Sequence, residues 1–322
     1  MNLGEFYRKA ISVGIEHDPR GAEHVYGELE RRKRNYEKLT PDKKEYYDIG
    51  TLENPYPDSR ILVGTGEEKI SGLLVGIDID VGEILLADHL KSRGKGIDLL
   101  LSHHPSGRAY ADLYEVMHMQ SDIFSLFGVP VNIAEGCMDR RIKEVERKLM
   151  PVNHTRAVDA ARLVGIPFLC LHTPADNMVT RYLQRLFNED PPYQLEDVLA
   201  DLREIPEYKV ARLEGVGPKI ILGSKKRKAG KIFVDMTGGT EGAKEIIRSI
   251  TNSGVSTIVG MHMSEEHRKE AEKHHLNVVV AGHISSDNLG LNLLLDELLQ
   301  KERFEIHACS GFRRFSRNPR NS

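Results

Sequence analysis

Residues 97–105 read IDLLLSHHP: an apolar run that meets two adjacent histidines and is closed by a proline. A short β-prone run without polar alternation predicts a strand buried on both faces, as in a parallel sheet. Pro105 cannot continue a central strand, so His103 and His104 stand at its end. Strand ends are where open α/β sheets bind ligands. Two imidazoles placed there could flank one point or serve separate ions. A pair of ordinary turn histidines has the same sequence.

The segments upstream complete a βαβ unit. ILVG (61–64) and SGLLVGIDI (71–79) read as strands, and GEILLADHLKSRG (82–94) reads as the crossover helix. The GTGEE turn at 64–68 lacks the GK[ST] ending of a phosphate loop, so a plain hairpin is expected. Asp78, at a strand end, stands either near the histidines or in a turn-capping position. Before this unit, residues 1–52 predict a helical extension. Phe6, Ala10 and Ile11 give it an apolar face, and its interleaved charges suit water better than nucleic acid. ENPYPDS (53–59) reads as a linker.

Downstream, residues 109–150 are predicted largely helical, with Met117 and Met119 in the core. A further amphipathic helix ends at Gly165. IPFLCL (166–171) is a buried strand that runs into His172, Thr173, Pro174 and Asp176. Thr-x-x-Asp resembles a capping box, and spacing alone favours that reading over a carboxylate aimed at the histidines. Short strands are expected around 208–223, and SKKRKAGK (224–231) reads as a solvated hairpin tip. The α/β alternation then restarts. GGTEG (238–242) is either an anion-holding turn or a plain tight turn. LNVVVAGH echoes IDLLLSHH, and Asp287 follows His283 by four residues. Asp287 could reach back to a common point or cap its helix.

The 322 residues suffice for two domains: a first lobe over 53–187 and a second over 188–322, after the extension. A net charge of -3 gives no global pull toward nucleic acid or an anionic membrane. Cys137, Cys170 and Cys309 are far apart and form no CxxC, which argues against a zinc-thiolate site and a disulfide framework and fits a reducing cytoplasm. Three strand ends carry histidine, and two carry an acid one turn later. That donor set suffices for two divalent ions, and without thiolate the candidates are Zn, Fe, Mn or Co. Two ions about 3.5–4 Å apart generate a hydroxide and clamp an oxyanion in hydrolytic chemistry.

The segments ILVG, VGIDI, LLLSHHP, HTPADN and VVVAGHISSD, in this order, resemble the Ngg-one-interacting-factor-three-like dinuclear-metal proteins. Many of these carry the label GTP cyclohydrolase I type 2 homologue. The resemblance covers the chain beyond the N-terminal extension. It implies two α/β lobes with metals in the cleft between them, and a ring-shaped homo-hexamer. Residue by residue, it implies His103, His104, Asp176, His283 and Asp287 as metal ligands, with His172 a near neighbour. Three features depart from the family pattern. Asp287 replaces a longer Glu, Gly260-Met261-His262 replaces a TGE, and the span between SHHP and HTPAD is longer. Two functions fit this reading: a metal-dependent hydrolase of a small molecule such as a nucleotide, or a metal-binding and trafficking protein without turnover.

Overall fold

The computed structural model describes residues 1–300 and 302–317. It is an α/β structure with two sheets, one per lobe, as expected. The strands are β1 (Arg60–Val63), β2 (Gly72–Gly76), β3 (Leu99–Ser102), β4 (Phe168–Cys170), β5 (Lys219–Leu222), β6 (Lys231–Asp235), β7 (Val255–Gly260), β8 (Asn277–Val280) and β9 (Glu305–Cys309). The first sheet has the order β1-β4-β3-β2-β9 and the second β5-β8-β7-β6. Pairing is parallel except for the antiparallel edge strands β1 and β5.

β3 carries Leu99, Leu100 and Leu101, all fully buried. Each such side chain contributes about 1.5–3 kcal/mol relative to leaving it in water. Leu99 and Leu101 face one apolar cluster and Leu100 the other, because successive strand side chains alternate. This burial fixes the register, in which Gly76 lies beside Ser102 and Ser102 beside Cys170. Asp78, His103 and His172 therefore follow three aligned strand ends. In the second sheet Asp235, Gly260 and Val280 are aligned in the same way.

Several local expectations differ from the structure. β1 and β2 are not a hairpin, since β1 pairs with β4. The turn between them instead receives the first helix, with Leu3 N–H donating to Glu68 O and Gly4 N–H to Gly66 O. That helix, Leu3–Glu16, buries Leu3, Phe6 and Ala10 completely, so this part of the extension belongs to the first-lobe core. Residues 206–213 form the helix Pro206–Leu213, with Pro at a favoured first-turn position. β5 and β6 are not neighbours, so SKKRKAGK does not tip a hairpin. β9 returns to the first sheet beside β2, so residues after 188 contribute to both sheets.

Helix Thr173–Glu189 packs on helix His283–Leu298, and each carries an acid of the candidate site near its start. The crossing is close because Gly290 has no side chain. A Cβ there would stand 2.3 Å from Ala175 O. Gly290→Ala should lower stability by about 1–3 kcal/mol, the usual cost of forcing an atom into a packed contact. Gly27→Ala, in the exposed part of helix Ala22–Glu37 with nothing within 4 Å, should instead stabilise, by about 0.5–1 kcal/mol. Thermal or urea melting of the two variants checks both signs.

Candidate metal centre

The C-terminal edges of the two sheets face each other across a cleft of about 380 Å³. His103 and His104 follow β3, His172 precedes helix Thr173–Glu189, and Asp176 lies in that helix's first turns. His283 opens helix His283–Leu298 with Asp287 one turn on. All five expected ligands therefore meet at one place, with His172 beside them.

Neither acid is a cap. The Thr173 hydroxyl donates to Asp58 Oδ2 at 2.6 Å, and no side chain caps the Thr173–Glu189 helix. Gly282 holds the N-cap position before His283, again without a side-chain cap. Asp176 and Asp287 instead turn into the cluster, 4% and 1% exposed. His103 Nε2 lies 3.5 Å from Asp176 Oδ1 and 3.5 Å from Asp287 Oδ1. On the other side, His104 Nε2 is 3.4 Å and His283 Nε2 3.6 Å from Asp287 Oδ2. Asp287, although shorter than Glu, thus turns one oxygen toward each set.

These spacings exceed a good hydrogen bond. Asp176 Oδ1, both Asp287 oxygens and both His103 ring nitrogens are buried without a hydrogen-bond partner. Native interiors rarely leave such groups unsatisfied. The spacings do suit a cation. With bonds of about 2.0–2.2 Å, donors at the corners of a tetrahedron stand about 3.3–3.6 Å apart. The triads His103–Asp176–Asp287, His104–His283–Asp287 and His103–His104–His172 could each hold a metal ion. A fourth group, His24, Glu28 and Asp122, lies apart, where Arg20 already bonds Glu28 at 2.9 Å.

Two further acids orient the imidazoles. Asp78 Oδ1 lies 2.8 Å from His104 Nδ1, and Asp58 Oδ2 lies 2.8 Å from His172 Nδ1. Carboxylates at Nδ1 turn Nε2 toward the cluster and make the ring a better donor. Asp78 carries the role that its strand-end position allowed. Asp58 lies in the proline-rich 53–59 stretch, and no local signal marks it, because its partner is remote in sequence. His262 packs its ring 5.0 Å from that of His283 but joins none of the triads.

Burial and neighbouring charge set the protonation. Burial drives His103 down to about 4, against the pull of Asp287. Burial raises Asp176 to about 8, opposed by His172. For Asp287 burial also opposes ionisation, but His103, His104 and His283 outweigh it and hold the carboxyl well below its usual range. Burial works against a charged His172, yet Asp176 and Asp58 lift the ring to about 9.

The longer 106–165 segment builds one cleft wall. Tyr110, Leu113 and Phe124 line it. Gln120 Nε2 donates to Gly238 O at 2.6 Å and to Thr240 O at 2.7 Å. These bonds pin the 238–242 turn beneath the segment. At the second-lobe edge, Asp235 lines the cleft.

A two-lobed α/β protein with a histidine–carboxylate centre in the interlobe cleft is the class that this fold and site define. No protein-family model and no curated protein matches the chain. Solved structures do. A NIF3 superfamily protein from Sphaerobacter thermophilus superposes with a TM-score of 0.68 at 26% identity, over 79% of this chain and 91% of that one. Looser matches are reduced HcgD from Methanocaldococcus jannaschii (TM-score 0.46, 16% identity, 87% and 96% covered) and a Bacillus cereus protein related to NIF3 (0.43, 13%, 81% and 92%). The chain is thus NIF3-like, as its motifs imply.

Asp235 supplies a test of the cleft's electrostatics. Desolvation by its surroundings and the nearby Glu241 raise its carboxyl from 3.8 to about 7. A raised acid keeps its proton in the fold, so its contribution to stability is full below about pH 4 and lost as pH rises through 7. Asp235→Asn removes that loss. Its melting temperature should exceed that of wild type at pH 8 and match it at pH 4, whereas an equal difference at both values contradicts the assignment.

Proposed function

We propose that the cleft holds two divalent ions bridged by Asp287, one with His103 and Asp176 and the other with His104 and His283, and that the protein is a metal-dependent hydrolase of a small molecule. The observation that carries this reading is the buried, unpartnered set His103, Asp176 and Asp287. The cleft favours turnover over metal carriage, because Phe124, Phe233 and Ile247 form an apolar wall beside the polar cluster. Such a wall serves an organic ligand rather than a bare ion.

Divalent ions held there would supply Lewis-acid chemistry, polarising the carbonyl or phosphoryl group that is attacked. The chain's own residues do the rest. Asp78 and Asp58 hold His104 and His172 in the tautomer that leaves Nε2 toward the cleft. His172 Nε2 lies 3.7 Å from Asp176 Oδ2, where it is placed to hold a proton beside the reacting group. The extended 106–165 wall keeps water from the apolar side of the cleft. Zn, Fe, Mn and Co all suit these nitrogen and oxygen donors.

We also propose a homo-hexamer, with a small-molecule substrate and with neither membrane nor nucleic acid as partner. No helix among the described residues is long and apolar enough to cross a membrane. Leu85, Leu86 and Leu163 are exposed and available to a neighbouring copy. Light scattering giving only a 36.3 kDa species at micromolar concentration would rule the assembly out.

Elemental analysis of metal-supplemented protein tests the centre. Wild type should hold two ions per chain. His104→Ala should lose at least one, and Asp287→Asn, which removes the shared carboxylate charge, should lose both. Asp176→Asn should fold normally and lose metal; full occupancy in that variant sinks its role as a ligand. Hydrolysis in a broad substrate screen should track metal content. A fully loaded wild type that turns over nothing would favour the metal-trafficking reading.

A further inference from the structure

The cleft extends well past the histidine–carboxylate cluster, into the second lobe. Among the described residues that line it there is no lysine and no arginine. Its wall on that side is apolar: Phe124, Phe233, Ile246, Ile247 and Ile250. Two acids interrupt the apolar surface. Glu241 is already engaged, accepting from Ser264 N–H at 2.8 Å and pairing with His267 Nδ1 at 3.1 Å. Asp235 is not. Its carboxylate has no hydrogen bond or ion pair among the described residues, although its backbone is fixed at the end of β6 opposite Gly260. Its side chain borders the open space of the cleft, and neither lysine nor arginine lines that cleft to meet it.

On this side of the cleft, away from the histidine–carboxylate cluster, no side chain suits an anion: lysine and arginine are absent from the lining, and Asp235 and Glu241 would repel one. This side suits the opposite charge. A carboxylate at an apolar wall receives an amine or an amidine-like pair of N–H donors, while the wall covers the ligand's flat or aliphatic body. We propose that Asp235 is the specificity-determining residue on the second-lobe side of the cleft and that its ligand is an apolar-bodied small molecule carrying a cationic or N–H-donor group. As a statement about the substrate this rests on the hydrolase reading; as a statement about binding it does not.

Benzamidine and benzamide separate these cases. They share one shape, and only benzamidine is a cation. Binding of each to the metal-supplemented full chain is followed by calorimetry at pH 8, above the raised value of about 7 for Asp235, and metal content is measured on the same samples. Wild type should bind benzamidine more tightly than benzamide. Asp235→Asn keeps shape and polarity without the charge. It should weaken benzamidine about tenfold or more, as expected for a lost charge-assisted contact, while benzamide binding and metal content stay unchanged. Equal binding of benzamidine by wild type and Asp235→Asn overturns the proposal. So does wild type binding benzamide as tightly as benzamidine. If Asp235→Asn unfolds, Asp235→Glu tests the same point, since it keeps the charge and should retain the preference for benzamidine over benzamide. A wild type without metal that still prefers benzamidine sinks the hydrolase reading and leaves the binding assignment standing.

Discussion

Asp287 lies between two sets of imidazoles, almost fully buried and with neither oxygen hydrogen-bonded. A buried carboxylate in that position is costly unless compensating charge is present. Much of the fold bears on this one placement. The close crossing at Gly290 and Ala175 brings helix His283–Leu298 against helix Thr173–Glu189. The register of β2, β3 and β4 brings Asp78, His103 and His172 to the same edge.

A polar network behind the centre ties the lobes and the N-terminal residues together. Thr237 of the second lobe donates to Asn177 Oδ1 at 2.6 Å. Asn177 in turn donates to Gly14 O and to the Tyr56 hydroxyl, which donates to the buried Asp18. Arg20 completes the chain with two bonds to Asp18. Fully partnered buried networks of this kind rigidify and specify one arrangement. The unpartnered atoms of the metal centre, a short distance away on helix Thr173–Glu189, stand in contrast to this network.

The strands that end in histidine were legible because burial on both faces leaves a continuous apolar run, and the run stops where the chemistry starts. The two-lobe plan followed from the restart of strand–helix alternation after Lys231. Pairing order was not legible. β1 joins β4 rather than β2, and β9 closes the first sheet, because both contacts are long-range and leave no local mark. Residues 208–213 look strand-like in isolation, yet Pro206 opens a helix there whose Tyr208 hydroxyl bonds Ser286 Oγ at 2.9 Å. Spacing made Asp176 look like a cap. Only the fold reveals that Thr173 serves Asp58 and frees Asp176 for the cluster. Asp58 itself sits in a proline-rich stretch whose composition says linker and whose geometry says partner of His172.

The central claim is a pair of cations that share Asp287. Anomalous diffraction from crystals grown with zinc or manganese, collected on both sides of the metal's absorption edge, tests it most directly. The account predicts two peaks about 3.5–4 Å apart, one on each side of the Asp287 carboxylate, with His103 and Asp176 at one and His104 and His283 at the other. A single peak, or none, in a cluster whose side chains keep the positions described here would contradict it.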